Sequence, residues 1–185
     1  MPARRILQLG DPLLRAVSSP LSDYTTAGRI FRDLRDTLHE FRRTHGFGRG
    51  ISAVQIGEPT RLIYIEMEGV EYAMVNPRLV SRSAETFRLW DDCFSFPHLL
   101  VYLERARSVL VAYRDQAGED RHLDVSGAFS ELLQHELDHL DGVLAVDRAI
   151  DGFSLCTREE YERRYRGAPA RENLQPKTGP AHRKL

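Results

Sequence analysis

The sequence predicts an α+β fold, on three observations. Apolar residues recur at helical spacing near residues 23–45 and again near 126–141. Between them, residues 60–125 are rich in valine, leucine and isoleucine and are interrupted by short glycine-containing turns. Turns that short bring a chain back on itself, so the intervening strands are expected to pair antiparallel.

Residues 1–22 read as an extended arm. Asp11-Pro12 and Ser19-Pro20 punctuate it, because the residue before a proline is pushed out of the helical region. From 23 to 45, Ile30, Phe31, Leu34, Leu38 and Phe41 recur every three or four residues with charged residues between them. This is an amphipathic scaffold helix, with Ser22 or Asp23 to cap it and Gly46 to end it. Residues 46–57 open with glycines at alternate positions and read as a loop; the Gly-Lys-Ser/Thr of a phosphate loop is missing. Residues 61–67 and 71–75 form a hairpin about Glu68-Gly69, broken at Asn76-Pro77. A second hairpin joins 108–113 to 121–125 across Gly118, and the aromatic stretch from Trp90 to Pro97, which holds Cys93, lies between the two. Ser126 is placed to cap the second helix, and Gly142 to end it. Thr157-Arg158-Glu159-Glu160 resembles a capping box ahead of a short charged helix to about residue 166. Residues 1–166 are expected to form one domain, and 167–185, poor in apolar groups, a flexible tail.

With 185 residues, 42% of them hydrophobic, the chain can bury a sizeable core. A net charge of −1 points to no nucleic-acid or membrane partner. No apolar run approaches the ~18 residues of a membrane span, and the start lacks the apolar core of a secretory leader. Cys93 and Cys156 are too few for a disulfide scaffold, so a reducing, cytoplasmic setting is expected. A monomer or weak dimer is the expected state.

The most informative stretch is Gln134-His135-Glu136-Leu137-Asp138-His139-Leu140-Asp141-Gly142. Residues i and i+4 of a helix share a face, so His135 and His139 can reach one metal ion. Glu136 sits about 100° away round the helix, where it can flank the ion and handle a water proton rather than bind the metal. Phe129, Leu133, Leu137 and Leu140 supply an apolar face beside it, so the helix is expected to be largely buried. Buried histidines and carboxylates need partners, which argues against two idle surface histidines.

Two histidines do not complete a metal site. A metzincin would place a third histidine at position 145, where this chain has Ala145. A thermolysin-like protease would use a later glutamate, and Glu159 or Glu160 is available, although the intervening stretch does not read as the required helical half. The third candidate is Cys93, upstream by a distance that leaves room for the two intervening strands.

At this point the chain resembles a peptide deformylase, over residues 4–165. The family's three ordered motifs stand here as Gly48-Arg49-Gly50-Ile51-Ser52-Ala53-Val54-Gln55, as Asp91-Asp92-Cys93-Phe94-Ser95, and as residues 134–142. The resemblance implies a metal helix packed into strongly twisted antiparallel strands. It also implies that Cys93, His135 and His139 hold one divalent metal, iron(II) by preference with zinc, nickel or cobalt as substitutes. The implied reaction is removal of the formyl group from an N-formylated peptide or nascent-chain N-terminus. Gln55 and the Phe94 backbone N–H would stabilise the oxyanion, Glu136 would move the proton, and Gly50 would hydrogen-bond an extended peptide. Gln134 and Asp138 are expected to orient the metal ligands.

This sequence departs from the family at several places. Asp92 stands for a glycine beside Cys93 and adds a charge that could leave a catalytically weak or inactive metal- and peptide-binding protein. Asp91 stands for a glutamate that pairs with the residue here numbered Arg105; the shorter acid is expected to reach it still, directly or through water, with an ordinary surface pair as the alternative. Ser52 stands for alanine, a mild change. Glu131 stands where relatives carry an aliphatic residue or arginine. It lies one turn before His135 and is expected at the pocket mouth, where a carboxylate would favour a basic substrate.

Overall fold

The structure is a computed structural model and describes residues 3–165. The expected flexible tail at 167–185 lies outside the described residues. In chain order the elements are α1 (Ala27–His45), β1 (Gly50–Ser52), β2 (Leu62–Met67), β3 (Val70–Arg82), β4 (Thr86–Asp92), β5 (Leu99–Ala106), β6 (Ser108–Arg114), β7 (Asp120–Ser126), α2 (Gly127–Leu140), β8 (Leu155–Thr157) and α3 (Arg158–Tyr165). One sheet has the order β1-β2-β3-β6-β7, the other β4-β5-β8. Every strand pair in both is antiparallel. The α+β class read from the sequence is the observed one.

α1 is entered through a short 3-10 turn in which the Asp23 carboxylate accepts from Thr25 N–H at 2.9 Å. It ends at Gly46, whose φ of 77° places it in the left-handed region. Ile30, Phe31, Leu34, Leu38 and Phe41 are all buried and pack with Ile51, Leu62 and Tyr64 of β1 and β2. α2 packs Leu132, Leu133, Leu137 and Leu140 against Ile63, Ile65, Met74 and Val111 of the larger sheet. Ten of its fourteen residues are buried, His135, Glu136, Asp138 and His139 among them. Ser126 occupies the N-cap position of α2 without a side-chain cap bond.

Three expectations about the strands are corrected. The glycine stretch is not only a loop, because Gly50–Ser52 pairs with β2 as an edge strand. A run of three residues that begins with glycine carries too little pattern to be read as a strand. The strand at 71–75 does not break at Asn76-Pro77 but continues to Arg82 through irregular register between Val75 and Arg78. Asn76 takes a positive φ of 51° and uses its side-chain amide to bond both Leu21 N–H and Leu21 C=O, so Pro77 sits at a bulge where no ladder donor is required. The segments around Cys93 are strands too. β4 leads into it and β5 out of it, so three strands rather than two separate Cys93 from α2.

The N-terminal arm fastens two of the segments that matter for function. Leu7 N–H donates to Gln55 C=O and Leu9 N–H to Ser95 C=O, each at 2.8 Å. It therefore bridges the turn after β1 and the turn after β4, which otherwise belong to different sheets.

Candidate active site

Three elements converge at one end of a cavity of about 480 Å³. α2 contributes Glu131, His135 and Glu136, the turn after β4 contributes Cys93 and Phe94, and β1 with its following turn contributes Gly50 and Gln55. Cys93 Sγ lies 3.2 Å from His139 Nε2, which lies 3.2 Å from His135 Nε2. All three donor atoms fall within 4.8 Å of one another and all three residues are buried. Ligand atoms at the corners of a tetrahedral zinc site sit roughly 3.3–3.8 Å apart, given bond lengths of about 2.0–2.3 Å. Buried donors gathered at that spacing fit a divalent ion. Neither Glu159 nor Glu160 lines this cavity, and Glu160 is taken up by Arg163 and Arg164.

One histidine is supported from behind and the other is not. Asp91 Oδ2 is 3.0 Å from His135 Nδ1 and accepts from Arg105 Nη2 at 3.1 Å. The Asp91 and Arg105 side chains are each only 2% exposed, so the shorter acid reaches its arginine directly, and the pair is a buried one rather than a surface one. Burial works against the Asp91 carboxylate, but His135 and Arg105 outweigh it and hold its pKa well below the usual range. A carboxylate on Nδ1 fixes the tautomer and turns Nε2 toward the donor set. His139 has no such support, since its Nδ1 is buried without a partner among the described residues.

Gln134 and Asp138 touch neither histidine; Asp138 reaches His135 only through Arg105 and Asp91. Gln134 ties α2 to the end of β5, accepting from Ala106 N–H and donating to Ala106 C=O, each at 3.0 Å. Asp138 pairs with Arg105 and Arg148 on the far side of the helix. The residue that orients His135 is Asp91. Its signal was present in the sequence, as an acid two positions before Cys93, but its histidine contact was not read.

Glu136 is 3% exposed and accepts a hydrogen bond from Ser52 Oγ, which also donates to Glu136 C=O at 3.0 Å. Burial pushes the Glu136 carboxyl up to about 7, against the opposing pull of His135 and Ser52. Ser52 therefore supports Glu136, a contact that its reading as a small replacement for alanine left out. A Cβ at Gly50 would come within 3.0 Å of Glu136 Oε1 and 3.1 Å of Leu132, so a larger residue would crowd the Glu136 carboxylate. As β1 is an edge strand, its outer side is open to a further extended segment.

Gln55 Oε1 accepts from Ser52 N–H at 3.0 Å, and this turns Nε2 to within 3.5 Å of Cys93 Sγ and 3.2 Å of Ser95 Oγ. The Phe94 backbone N–H has no partner among the described residues. Its ring stacks on Phe41 at 3.8 Å and lies over Gly48, where a Cβ would come within 2.4 Å of it. Gly48 also has a φ of 126°, so the position is closed to other residues on both counts.

The extra charges noted in the sequence are both matched. Asp92 accepts from Arg158 at 2.7 Å, and the Arg158 guanidinium stacks 3.9 Å above Phe47. Glu131 does line the cavity, but it is buried and accepts from Arg49 at 2.6 Å. Burial, with Asp91 nearby, raises the Glu131 pKa in spite of Arg49. Neither arginine was identified from sequence, because each pairing spans a long stretch of chain.

A buried carboxylate, an amide donor, a free backbone N–H and a converging donor set beside an open sheet edge define a hydrolase centre for peptide-like amides. The family model described as polypeptide deformylase matches residues 3–152. A peptide deformylase of Rhodopseudomonas palustris strain TIE-1 is 35% identical over 155 residues, covering 80% of this chain and 86% of that protein. One from Bartonella tribocorum is 30% identical over 183 residues, covering 95% and 98%. The crystal structure of a peptide deformylase from Synechococcus elongatus in complex with actinonin superimposes with a TM-score of 0.78 at 27% identity, covering 88% of this chain and 86% of that one. The chain belongs to the peptide deformylase family. It is an enzyme, a hydrolase of the class that removes N-formyl groups from nascent peptides.

Proposed function

We propose that the chain is a metal-dependent deformylase acting on formyl-methionyl or related N-formyl peptides, with Cys93, His135 and His139 as the metal ligands. The convergence of those three donor atoms beside Glu136 is the observation that carries the reading. A thiolate with two imidazoles suits iron(II), the ion preferred in this proposal, and equally zinc, nickel or cobalt. When bound, the ion supplies Lewis acidity that makes water nucleophilic near neutral pH.

The protein's own groups carry the remaining steps. The outer edge of β1 at Gly50 aligns the substrate backbone as an added strand. Gln55 Nε2 and the Phe94 N–H donate to the formyl oxygen as it gains charge. Glu136 takes a proton from the attacking water and passes it to the departing amine, so formate and a free N-terminus leave. Glu136 is suited to both roles by its raised pKa.

Glu131 is retained as a substrate contact. One of its oxygens is engaged by Arg49, and the other accepts nothing among the described residues. A first side chain carrying a hydrogen-bond donor would find that oxygen. Basic formyl-peptides are expected to gain in kcat/KM over neutral ones, and the gain should vanish in Glu131→Gln. The same ratio in both proteins contradicts it. The possibility of an inactive relative was motivated by the charge of Asp92, and the pairing with Arg158 weakens that motive. No described helix is long and apolar enough to cross a membrane; a cytoplasmic monomer or weak dimer remains part of the proposal.

The deciding experiment is formate release from a formylated tripeptide by protein purified without oxygen, with metal content measured on the same sample. Turnover that tracks metal content is expected. Fully metal-loaded protein releasing no formate from any formylated peptide contradicts the reading.

A further inference from the structure

The C-terminal pair β8 and α3 follows the part of the chain matched to the family and has no part in the proposed reaction. It nonetheless stands directly behind the substrate cavity. Phe47, Trp90 and Asp92 all line that cavity, and each touches α3. β8 pairs with β5, and Arg158 N–H donates to His98 C=O at 2.8 Å, so the first residue of α3 is fixed against the turn between β4 and β5. Tyr161 then meets Trp90 edge-on, with ring centroids 5.7 Å apart.

Arg158 joins parts of the cavity that come from different sheets. Its Nε donates to Pro97 C=O at 2.7 Å and its Nη2 to Asp92 at 2.7 Å, while its guanidinium lies 3.9 Å over the Phe47 ring. Phe47 leads into β1 of the larger sheet, whereas Asp92 ends β4 of the smaller one. Among the described residues the two sheets share no strand, so side-chain links of this kind set the width between the walls. The Arg158 and Asp92 side chains are 18% and 15% exposed, and a charge-assisted pair so far withdrawn from water holds its geometry better than a surface pair. Arg158 itself does not line the cavity, so it acts through Phe47 and Asp92.

Asp91 turns to His135, and Asp92, its neighbour in the strand, turns to the other face. A peptide laid on the outer edge of β1 has its reacting end level with Gly50 and Glu136 and runs back past Gly48 toward Phe47. At ~3.3 Å per residue, its third and later residues reach Phe47, and a single residue does not. Resting on the deformylase reading, we propose that Arg158 is a positioning residue for the downstream part of the peptide. By holding Phe47 against Asp92, it sets the gap through which the substrate chain passes.

The test compares zinc-loaded parent and Arg158→Gln on two substrates, formyl-Met-Ala-Ser and formyl-methionine amide. Binding of the unformylated Met-Ala-Ser and methionine amide is measured alongside by calorimetry. KM for the formyl-tripeptide and Kd for the tripeptide should rise about tenfold, as for a lost charge-assisted bond. kcat and both single-residue values should stay within about twofold. Arg158→Gln added to Asp92→Asn should cost less than Arg158→Gln alone, since the two share one contact. Unchanged tripeptide values overturn the proposal. Equal losses for both lengths also overturn it, because a loosened fold would not distinguish them. Should Arg158→Gln not fold, Arg158→Lys keeps the charge beside Asp92 without the planar stack on Phe47, and the same length-dependent loss is expected and the same two results overturn. A parent that binds Met-Ala-Ser but releases no formate defeats the deformylase reading alone, and the binding comparison still decides the role of Arg158.

Discussion

On the side of α2 facing the substrate cavity, two ring nitrogens and a thiol sulfur meet at 3.2 Å separations with no donor hydrogen obviously set between them. On the opposite side, one turn of the same helix gives Asp138 to two guanidinium groups and Gln134 to the backbone of Ala106. Both sides bury polar atoms, yet the far side pairs its acids within the protein while the near side gathers a donor set. Pairing fixes where α2 sits. Leaving converging lone pairs unmatched is what gives the helix a chemistry, since a buried donor set without an ion is costly. Arg105 joins the two sides through Asp91 and Asp138.

The comparison is sharpest at Glu136, the proposed proton carrier of the open side. Glu136→Ala should lower kcat for formate release by ~10²–10⁴-fold, the usual worth of a placed general acid–base, with metal content unchanged. Loss of metal in step with activity would make Glu136 a structural support instead. Next comes the link between the sides. Asp91→Asn keeps the shape but weakens the hold on His135, and metal affinity should fall by ~10–100-fold by chelator competition. An unchanged affinity would mean that His135 needs no more support than His139, whose Nδ1 has none.

A smaller effect is expected at Ser52. Removing the hydroxyl that donates to Glu136 in Ser52→Ala should lower kcat about tenfold, as for a hydrogen bond to a charged group, and leave KM unchanged. A change in KM alone would place Ser52 with the substrate rather than with Glu136. Least of all should come from Glu160→Gln. Its exposed pairs with Arg163 and Arg164 resemble those inside the protein only in geometry, and no measurable shift in Tm is expected.

The helices were legible because burial imposes a period that survives in the residues. Ile30, Leu34 and Leu38 mark the inner face of α1, and His135 and His139 announce themselves by spacing alone. β4 and β5 were not legible in the same way. In β4 the apolar residues Phe87 and Leu89 alternate with exposed Thr86 and Arg88, but the run then passes straight into buried Trp90 and Asp91 and dissolves the pattern. β1 is too short to have a pattern at all. At the site, the positions of Cys93, Gln55 and Glu131 were expected and are found at the cavity. What sequence left out were the partners. Arg49 lies 82 residues from Glu131 and Arg158 lies 66 from Asp92, and no local signal announces a pairing made across the fold. Charges that look intrusive in the sequence are therefore neutralised by residues that look like ordinary surface arginines.

The central claim is that a thiolate from the turn after β4 and two imidazoles from α2 share one ion. X-ray absorption at the metal edge of protein purified without oxygen measures this directly. The account predicts one sulfur scatterer at about 2.3 Å and two imidazole nitrogens at about 2.0–2.1 Å, with the sulfur lost in Cys93→Ser. A fully loaded protein whose metal shows no sulfur neighbour, or keeps it in Cys93→Ser, would contradict the account.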